Sequence, residues 1–234
     1  MVMSINRQKA LILFAKNPIP GRVKTRLSPP LEPDDAARLY RCMLEDVAVK
    51  TAQLTGIDKY LYYEGEADSL GYFEEKAREM ICRPQQGDGL GEKMAAAFRQ
   101  LFAEGYGAVA IIGSDSPDLP RSYIEDAFGR MENGGCDAVF GPTEDGGYYL
   151  VGMTHFRHEL FRDIPWSSDL VLRRSLEHAA DSGISAALLP PWHDVDRAVD
   201  LMRPELLDPD NEAPLTRAFI SRWLEARARG FDRS

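Results

Sequence analysis

Two unbroken apolar runs, Ala10 to Ala15 and Ala108 to Ile112, constrain the fold of this chain more than any other feature. A strand buried on both faces reads as a continuous apolar stretch, and such strands belong to parallel sheets covered by helices. Each run is followed by a turn-rich stretch and then by a segment of helical periodicity, the alternation that builds a sheet with helices on both sides.

The rest of the chain continues that pattern. Pro33, Asp34 and Asp35 open a helix in which Leu39, Met43 and Val47 recur at spacing four, running to about Leu54. Ile57 to Tyr63 reads as a strand, Ala67 to Arg78 as a helix and Met80 to Arg83 as a short strand. A helix carrying Met94, Phe98, Leu101 and Phe102 precedes the second apolar run. Beyond that run come a helix from Pro120 to Met131, strands from Asp137 to Phe140 and Tyr148 to Val151, and a helix from Asp169 to Asp181. A strand from Ala186 to Leu189, a short helix from Arg197 to Met202, a polar linker from Asp208 to Pro214 and an amphipathic helix from Leu215 to Arg229 close the chain. The predicted class is α/β, a three-layer α/β/α arrangement with a mostly parallel sheet. Its two long apolar runs should be central neighbours, within a single domain spanning 1–234 whose segment 208–234 is the linker and closing helix.

Composition narrows the function. Lys plus Arg number 28 against 37 for Asp plus Glu, a formal charge of −9 that repels polyanions over most of the surface and argues against non-specific nucleic-acid binding. Cys42, Cys82 and Cys136 are odd in number and widely spaced, the pattern of reduced, buried residues rather than of a disulfide framework. Ala10 to Ala15 is too short for a signal h-region or a membrane span, so a cytoplasmic protein with no membrane partner is expected.

Three acidic clusters follow or open apolar runs: Gly113-Ser114-Asp115-Ser116-Pro117-Asp118, Glu144-Asp145-Gly146-Gly147-Tyr148 and His193-Asp194-Val195-Asp196. Loops at strand ends of one sheet edge converge, and a set of carboxylates there suits a hard divalent ion that binds together with phosphates. Asp194 and Asp196 flank one residue, so in an extended segment they leave on the same side. A solvated acidic turn explains that pair about as well. For Asp118, capping of the following helix is the better reading; for Asp115, metal binding. His193 reads as a packing or hydrogen-bonding residue.

A basic loop supplies the complement. In Lys16-Asn17-Pro18-Ile19-Pro20-Gly21-Arg22-Val23-Lys24-Thr25-Arg26-Leu27, three cations at spacing two can follow an extended polyphosphate. It is neither a Walker loop nor a dinucleotide fingerprint, and a plain solvated loop is a real alternative that its place after the first buried strand weighs against. The glycine-rich stretch Gln85-Gln86-Gly87-Asp88-Gly89-Leu90-Gly91 ahead of a helix can hold a phosphate or read a base edge, though flexible loops of this composition are at least as common. His155, His158 and His178 lack metalloprotease spacing, and no nucleophile elbow is present.

Taken in order, these segments resemble the nucleotide-diphospho-sugar transferases of glycosyltransferase-A fold, and within them an uncharacterised bacterial family akin to 2-phospholactate guanylyltransferase. The matching residues are Phe14-Ala15-Lys16, Pro20 to Leu27, Gln85 to Met94, Gly113 to Pro117, Asp145 to Tyr148, Trp166-Ser167-Ser168, Asp194-Val195-Asp196 and Asp200-Leu201. The resemblance implies an N-terminal half that binds a nucleotide and a C-terminal half that receives the acceptor. By the same resemblance Asp115, Asp194 and Asp196 would hold Mg²⁺ or Mn²⁺, and Gly21, Arg22, Lys24 and Arg26 would meet phosphates. Gln85, Gly87 and Gly89 would lie near the base, and Asp145, Gly147, Tyr148, Ser167 and Ser168 would face the acceptor. The Asn17-Pro18-Ile19-Pro20 stretch stands where many of these enzymes carry a Gly-rich loop.

The expected activity is metal-dependent transfer from a nucleotide donor, with Lys24 and Arg26 stabilising charge and Asp145 as the candidate base for a hydroxyl acceptor. A nucleotidyltransferase using an NTP and a small acceptor leads. A glycosyltransferase using an NDP-sugar is the alternative, and a non-catalytic nucleotide-binding protein is the alternative of another class. Base, acceptor and oligomeric state are not legible.

Overall fold

A computed structural model of the chain describes residues 8–65, 69–132 and 134–231. The strands are β1 (Lys9–Lys16), β2 (Asp58–Glu64), β3 (Ile81–Pro84), β4 (Ala108–Ile112), β5 (Ala138–Pro142), β6 (Tyr148–Met153) and β7 (Ala186–Leu188). They form one sheet in the order β3-β2-β1-β4-β6-β5-β7. β1 pairs in parallel with β2 on one side and β4 on the other, so the two apolar runs are central neighbours. β6 runs antiparallel to both β4 and β5. The connection from Thr143 to Gly147 is far shorter than the roughly dozen residues a parallel crossover takes, which forces this exception.

The helices are α1 (Pro33–Ala52), α2 (Leu70–Lys76), α3 (Leu90–Ala103), α4 (Arg121–Glu132), α5 (Val171–Asp181), α6 (Pro204–Leu207) and α7 (Pro214–Phe231). The first residues predicted for the second helix, Ala67 and Asp68, lie outside the described residues. Strand alternation explains the unbroken runs. Leu11, Leu13 and Ala15 enter a core with Leu44 and Val47 of α1, Phe73 of α2 and Phe128 of α4. Ala10 and Ile12 enter the opposite core with Phe98 and Leu101 of α3. Every position of β4 is buried, as a strand covered on both faces requires.

A third apolar cluster positions the functional loops. Leu27 of the basic loop and Leu31 just beyond it, Leu39 and Met43 of α1, Val195 of the third acidic segment, Leu201, Leu206 of α6 and Ile220 of α7 pack together. The first and last parts of the chain thus meet beneath one end of the sheet.

The closing helix is tied down by a charge on α1. Asp46, 3% exposed, accepts the backbone N–H of Leu215 at 3.1 Å and that of Thr216 at 2.7 Å, together with the Thr216 hydroxyl at 2.7 Å. These donors belong to the first turn of α7, which no intrahelical partner can satisfy. Asp46→Ala is expected to cost about 2 kcal/mol in urea unfolding. A change within experimental error would contradict this docking.

Candidate active site

The basic loop, the glycine-rich loop and the three acidic segments reach one edge of the sheet for a topological reason. β1, β2, β3, β4, β5 and β7 run in one direction, so the segments after them leave at their shared C-terminal edge. There Lys24, the Asp115 loop and the Asp194 to Asp196 segment converge.

Lys24 is the centre of the cluster. Its ammonium lies 2.6 Å from Asp115 Oδ1 and 2.9 Å from Asp196 Oδ1, with its side chain 4% exposed. The two oxygens that share it are no farther apart than those contacts laid end to end, so Asp115 and Asp196 are within reach of one cation. Arg26 stands at the mouth, 3.6 Å from Asp196 Oδ2 and largely exposed. Asp194 accepts the Ser116 hydroxyl at 2.6 Å. Burial, then the neighbouring Asp115, push the Asp194 carboxyl up to about 7. Burial acts on Asp196 in the same sense, but the Lys24 ammonium outweighs it and holds that carboxyl below its usual range. Burial disfavours the Lys24 charge, yet Asp115 and Asp196 reverse the effect and raise its pKa.

The two acidic loops are fastened to each other at several points. The Val195 N–H donates to the Asp115 carbonyl at 2.8 Å. His193 Nε2 lies 2.9 Å from Asp118 Oδ2, both side chains being almost fully buried, and Trp192 Nε1 donates to Asp118 Oδ1 at 3.4 Å. Asp118 is therefore a clamp between loops and not the helix cap its sequence position suggested; the carboxylate at the start of α4 is that of Glu212, which accepts the Arg121 N–H at 2.9 Å. His193 has the hydrogen-bonding role expected of it. Asp200 accepts the backbone N–H groups of Asp196 at 3.0 Å and Arg197 at 2.6 Å, setting the exit of the segment.

Helix α1 holds the Asp115 loop from below, which the sequence reading missed. The Tyr40 hydroxyl accepts the Lys16 N–H at 2.8 Å and lies 2.8 Å from Ser114 Oγ. Lys50, 4% exposed, donates to the carbonyls of Pro117, at 2.7 Å, and Leu119. The signal was present: Lys50 lies three residues beyond Val47 of the stripe Leu39, Met43, Val47, so it is a charge on the buried face of the helix. Burial pushes the Lys50 ammonium down to about 8. The folded chain then sheds this proton near pH 8 and the unfolded chain near about 10.4, so between those values the unfolded state holds more protons and stability rises with pH. Unfolding of the unmodified chain and Lys50→Met at pH 7.5 and 9.5 should show the unmodified chain gaining relative to the variant. An equal change in both would contradict a buried, loop-holding lysine.

The rim differs more from expectation. Gly21, at φ 74°, and Arg22 are exposed at the loop tip. The Gln85 amide nitrogen donates to the carbonyls of Tyr62, at 2.9 Å, and Ala15, at 3.3 Å, so it pins strand ends and leaves only its carbonyl side for a base. Gly87 packs against Glu92, while Gly89 precedes α3 and is open. Gly91 lies under the indole of Trp166, where an added Cβ would sit 2.5 Å from Nε1. This contact joins the glycine-rich loop to the Trp166 segment. Gly146, at φ 89°, leaves no room for a side chain against the backbone of Asp169, and its carbonyl accepts the Leu172 N–H at 3.0 Å. Asp145 Oδ1 accepts the Thr143 hydroxyl at 2.6 Å and the Gly147 N–H at 3.1 Å, shaping its own turn on the exposed rim.

Two acceptor-facing expectations are corrected. The Tyr148 ring packs on Phe140 and Trp166 in the core beneath α3 and α5, and its hydroxyl is buried beside Ser175 without a well-formed hydrogen bond. Strand parity sends it inward. Ser168 Oγ donates to the Pro165 carbonyl at 2.7 Å and accepts the Leu170 N–H at 3.2 Å, an internal turn before α5. Ser167, at φ 67°, remains exposed. Lys24 is also corrected: enclosed by two carboxylates, it is not open to a phosphate in this conformation.

A divalent ion fits the chemistry of the donors, since Asp115, Asp194 and Asp196 offer hard oxygens and two of them already share an ammonium as a stand-in cation. Among the described residues, however, no three His, Cys, Asp or Glu side chains are arranged as ligands around one point. No described helix is long and apolar enough to cross a membrane.

A family model described as an uncharacterized protein conserved in bacteria (DUF2064) matches residues 47–168, more than half of the chain. The chain belongs to this family. A solved structure from Desulfovibrio desulfuricans G20, provisionally named a nucleotide-diphospho-sugar transferase, is 32% identical to this DUF2064 chain, with a TM-score of 0.82; the match covers 93% of this chain and 98% of that one. The inositol-1-phosphate CTP transferase from T. maritima is 14% identical with a TM-score of 0.55, over 91% of this chain and 96% of that one. Glucosyl-3-phosphoglycerate synthase from Mycobacterium tuberculosis, solved with Mg²⁺ and uridine-diphosphate, is 12% identical with a TM-score of 0.50, over 82% and 73%. The last two likenesses are of fold alone. No curated protein matches. The DUF2064 chain thus has the nucleotide-diphospho-sugar transferase fold that its motifs resemble. The family match includes Asp115 and Asp145 but leaves Lys24, Asp194 and Asp196 outside it.

Proposed function

We propose that this chain is a metal-dependent, nucleotide-using transferase, and within that class a nucleotidyltransferase acting on an NTP and a small acceptor. The observation that carries the reading is the convergence of Asp115, Asp194 and Asp196 with Lys24 and Arg26 at the C-terminal edge of the sheet. Asp115 and Asp196, with Asp194 beside them, would hold Mg²⁺ or Mn²⁺, which when bound supplies Lewis-acid charge to phosphate oxygens. Arg22 and Arg26, exposed on the loop after β1, bind and orient the phosphates, forking onto their oxygens. The Asp118–His193 clamp keeps the two acidic loops in register and Lys50 fastens the Asp115 loop to α1, so that most of the rate comes from positioning and fixed charge. Asp145 takes the proton of a hydroxyl acceptor; a carboxylate or phosphate acceptor needs no base.

The Desulfovibrio protein's name keeps an NDP-sugar donor as a second reading. Both are separated by a thermal-shift panel of NTPs and NDP-sugars with and without Mg²⁺ or Mn²⁺, followed by assay of pyrophosphate release. A ligand at 100 times its Kd adds about 2.7 kcal/mol of stability. Metal-dependent stabilisation by an NTP is expected. Stabilisation by NDP-sugars alone would favour the second reading, and none by any nucleotide would overturn both.

A further inference from the structure

Lys24 is placed where a ligand's phosphates cannot reach it. Its side chain is 4% exposed between Asp115, on the loop after β4, and Asp196, on the segment after β7. Getting there requires a left-handed backbone, φ 49° and ψ 37°. For a residue other than glycine that conformation persists only where the surroundings over-determine it. Here the surroundings are two carboxylates that would repel each other without a cation between them. The ammonium therefore stands at the point on which these hard oxygens converge, and a divalent ion at the same oxygens would be repelled by it. Arg26, at 3.6 Å from Asp196 and 61% exposed, marks the open side of the cluster.

We propose that Lys24 is the resident counter-ion of the site in the absence of ligands and is exchanged for the divalent cation on loading, its ammonium turning out toward the nucleotide phosphates beside Arg26. The inference rests on the metal-dependent reading above. It makes metal and nucleotide binding mutually reinforcing. Without a nucleotide the displaced ammonium gains no new partner, whereas with one it gains a phosphate, and the coupling acts equally in both directions.

The test uses the full chain and Mn²⁺ alone, titrated with the free-ion paramagnetic resonance signal as readout, for the unmodified protein and Lys24→Met. In parallel, acetylation of the Lys24 amine in the unmodified protein is followed by mass spectrometry with and without Mn²⁺. Lys24→Met is expected to bind Mn²⁺ at least about tenfold more tightly than the unmodified chain. Lys24 should be protected from acetylation alone and become reactive at Mn²⁺ saturation. Because the acetylation arm needs no variant, poor folding of Lys24→Met leaves the proposal exposed to refutation. Equal Mn²⁺ affinity with Lys24 still protected at saturation overturns the exchange alone. Failure of both proteins to bind Mn²⁺ overturns the metal-dependent reading together with it.

Discussion

Asp115→Asn is expected to lower turnover by at least about a hundredfold, the scale on which one preorganised electrostatic group acts at a transition state. The folded structure should survive. Asn keeps the shape of the side chain, and the Asp115 carbonyl that accepts the Val195 N–H is backbone and unaffected. Lys24 retains Asp196 at 2.9 Å, and Asp115 is half exposed, so its loss as an ion-pair partner should cost no more than about 1 kcal/mol. The variant therefore separates chemistry from packing. Near-normal metal-dependent turnover in a single-turnover assay would remove Asp115 from the reaction.

The largest stability effect is expected at the other end of the same loops. His193→Leu leaves the Asp118 carboxylate, 1% exposed, with only the Trp192 Nε1 contact at 3.4 Å on that side. Removing one member of a buried ionisable pair costs about 3–5 kcal/mol, because the remaining group is stranded away from water. Guanidinium unfolding should show that loss. Adding Asp118→Leu to His193→Leu should restore part of it, the mark of a coupled pair. Lys50 sits close enough to sense the Asp118 charge, so recovery stays incomplete. A loss below about 1 kcal/mol in the single variant would show that the two acidic loops are held by packing and backbone bonds instead.

What the sequence revealed follows from range. Burial on both faces writes itself locally, so the unbroken runs Ala10 to Ala15 and Ala108 to Ile112 mark central neighbouring strands in the sequence itself. The acidic loops were legible for the same reason, since each is attached to an apolar strand. β6 is the exception in direction, although the short Thr143 to Gly147 turn carried that information. Pairings between distant segments left no local trace. Asp118 and His193 are 75 residues apart; Asp118 alone looks like a helix cap, and nothing local names the partner of His193. Tyr148 was ambiguous because adjacent Tyr148 and Tyr149 point to opposite faces and either parity satisfies the pattern. Lys24 reads as a phosphate ligand in a basic loop; only its left-handed backbone turns it inward, and no residue type announces that at a lysine.

The shared metal site is tested by the anomalous scattering of Mn²⁺ in crystals of this chain soaked with a non-hydrolysable NTP. One Mn²⁺ is expected within oxygen-ligand distance, about 2.0–2.6 Å, of Asp115 and the Asp194/Asp196 pair. Phosphates should lie against Arg26, and the Lys24 ammonium should be withdrawn from between Asp115 and Asp196. Nucleotide bound elsewhere, or Lys24 still bridging the two aspartates with no Mn²⁺ beside them, would contradict it.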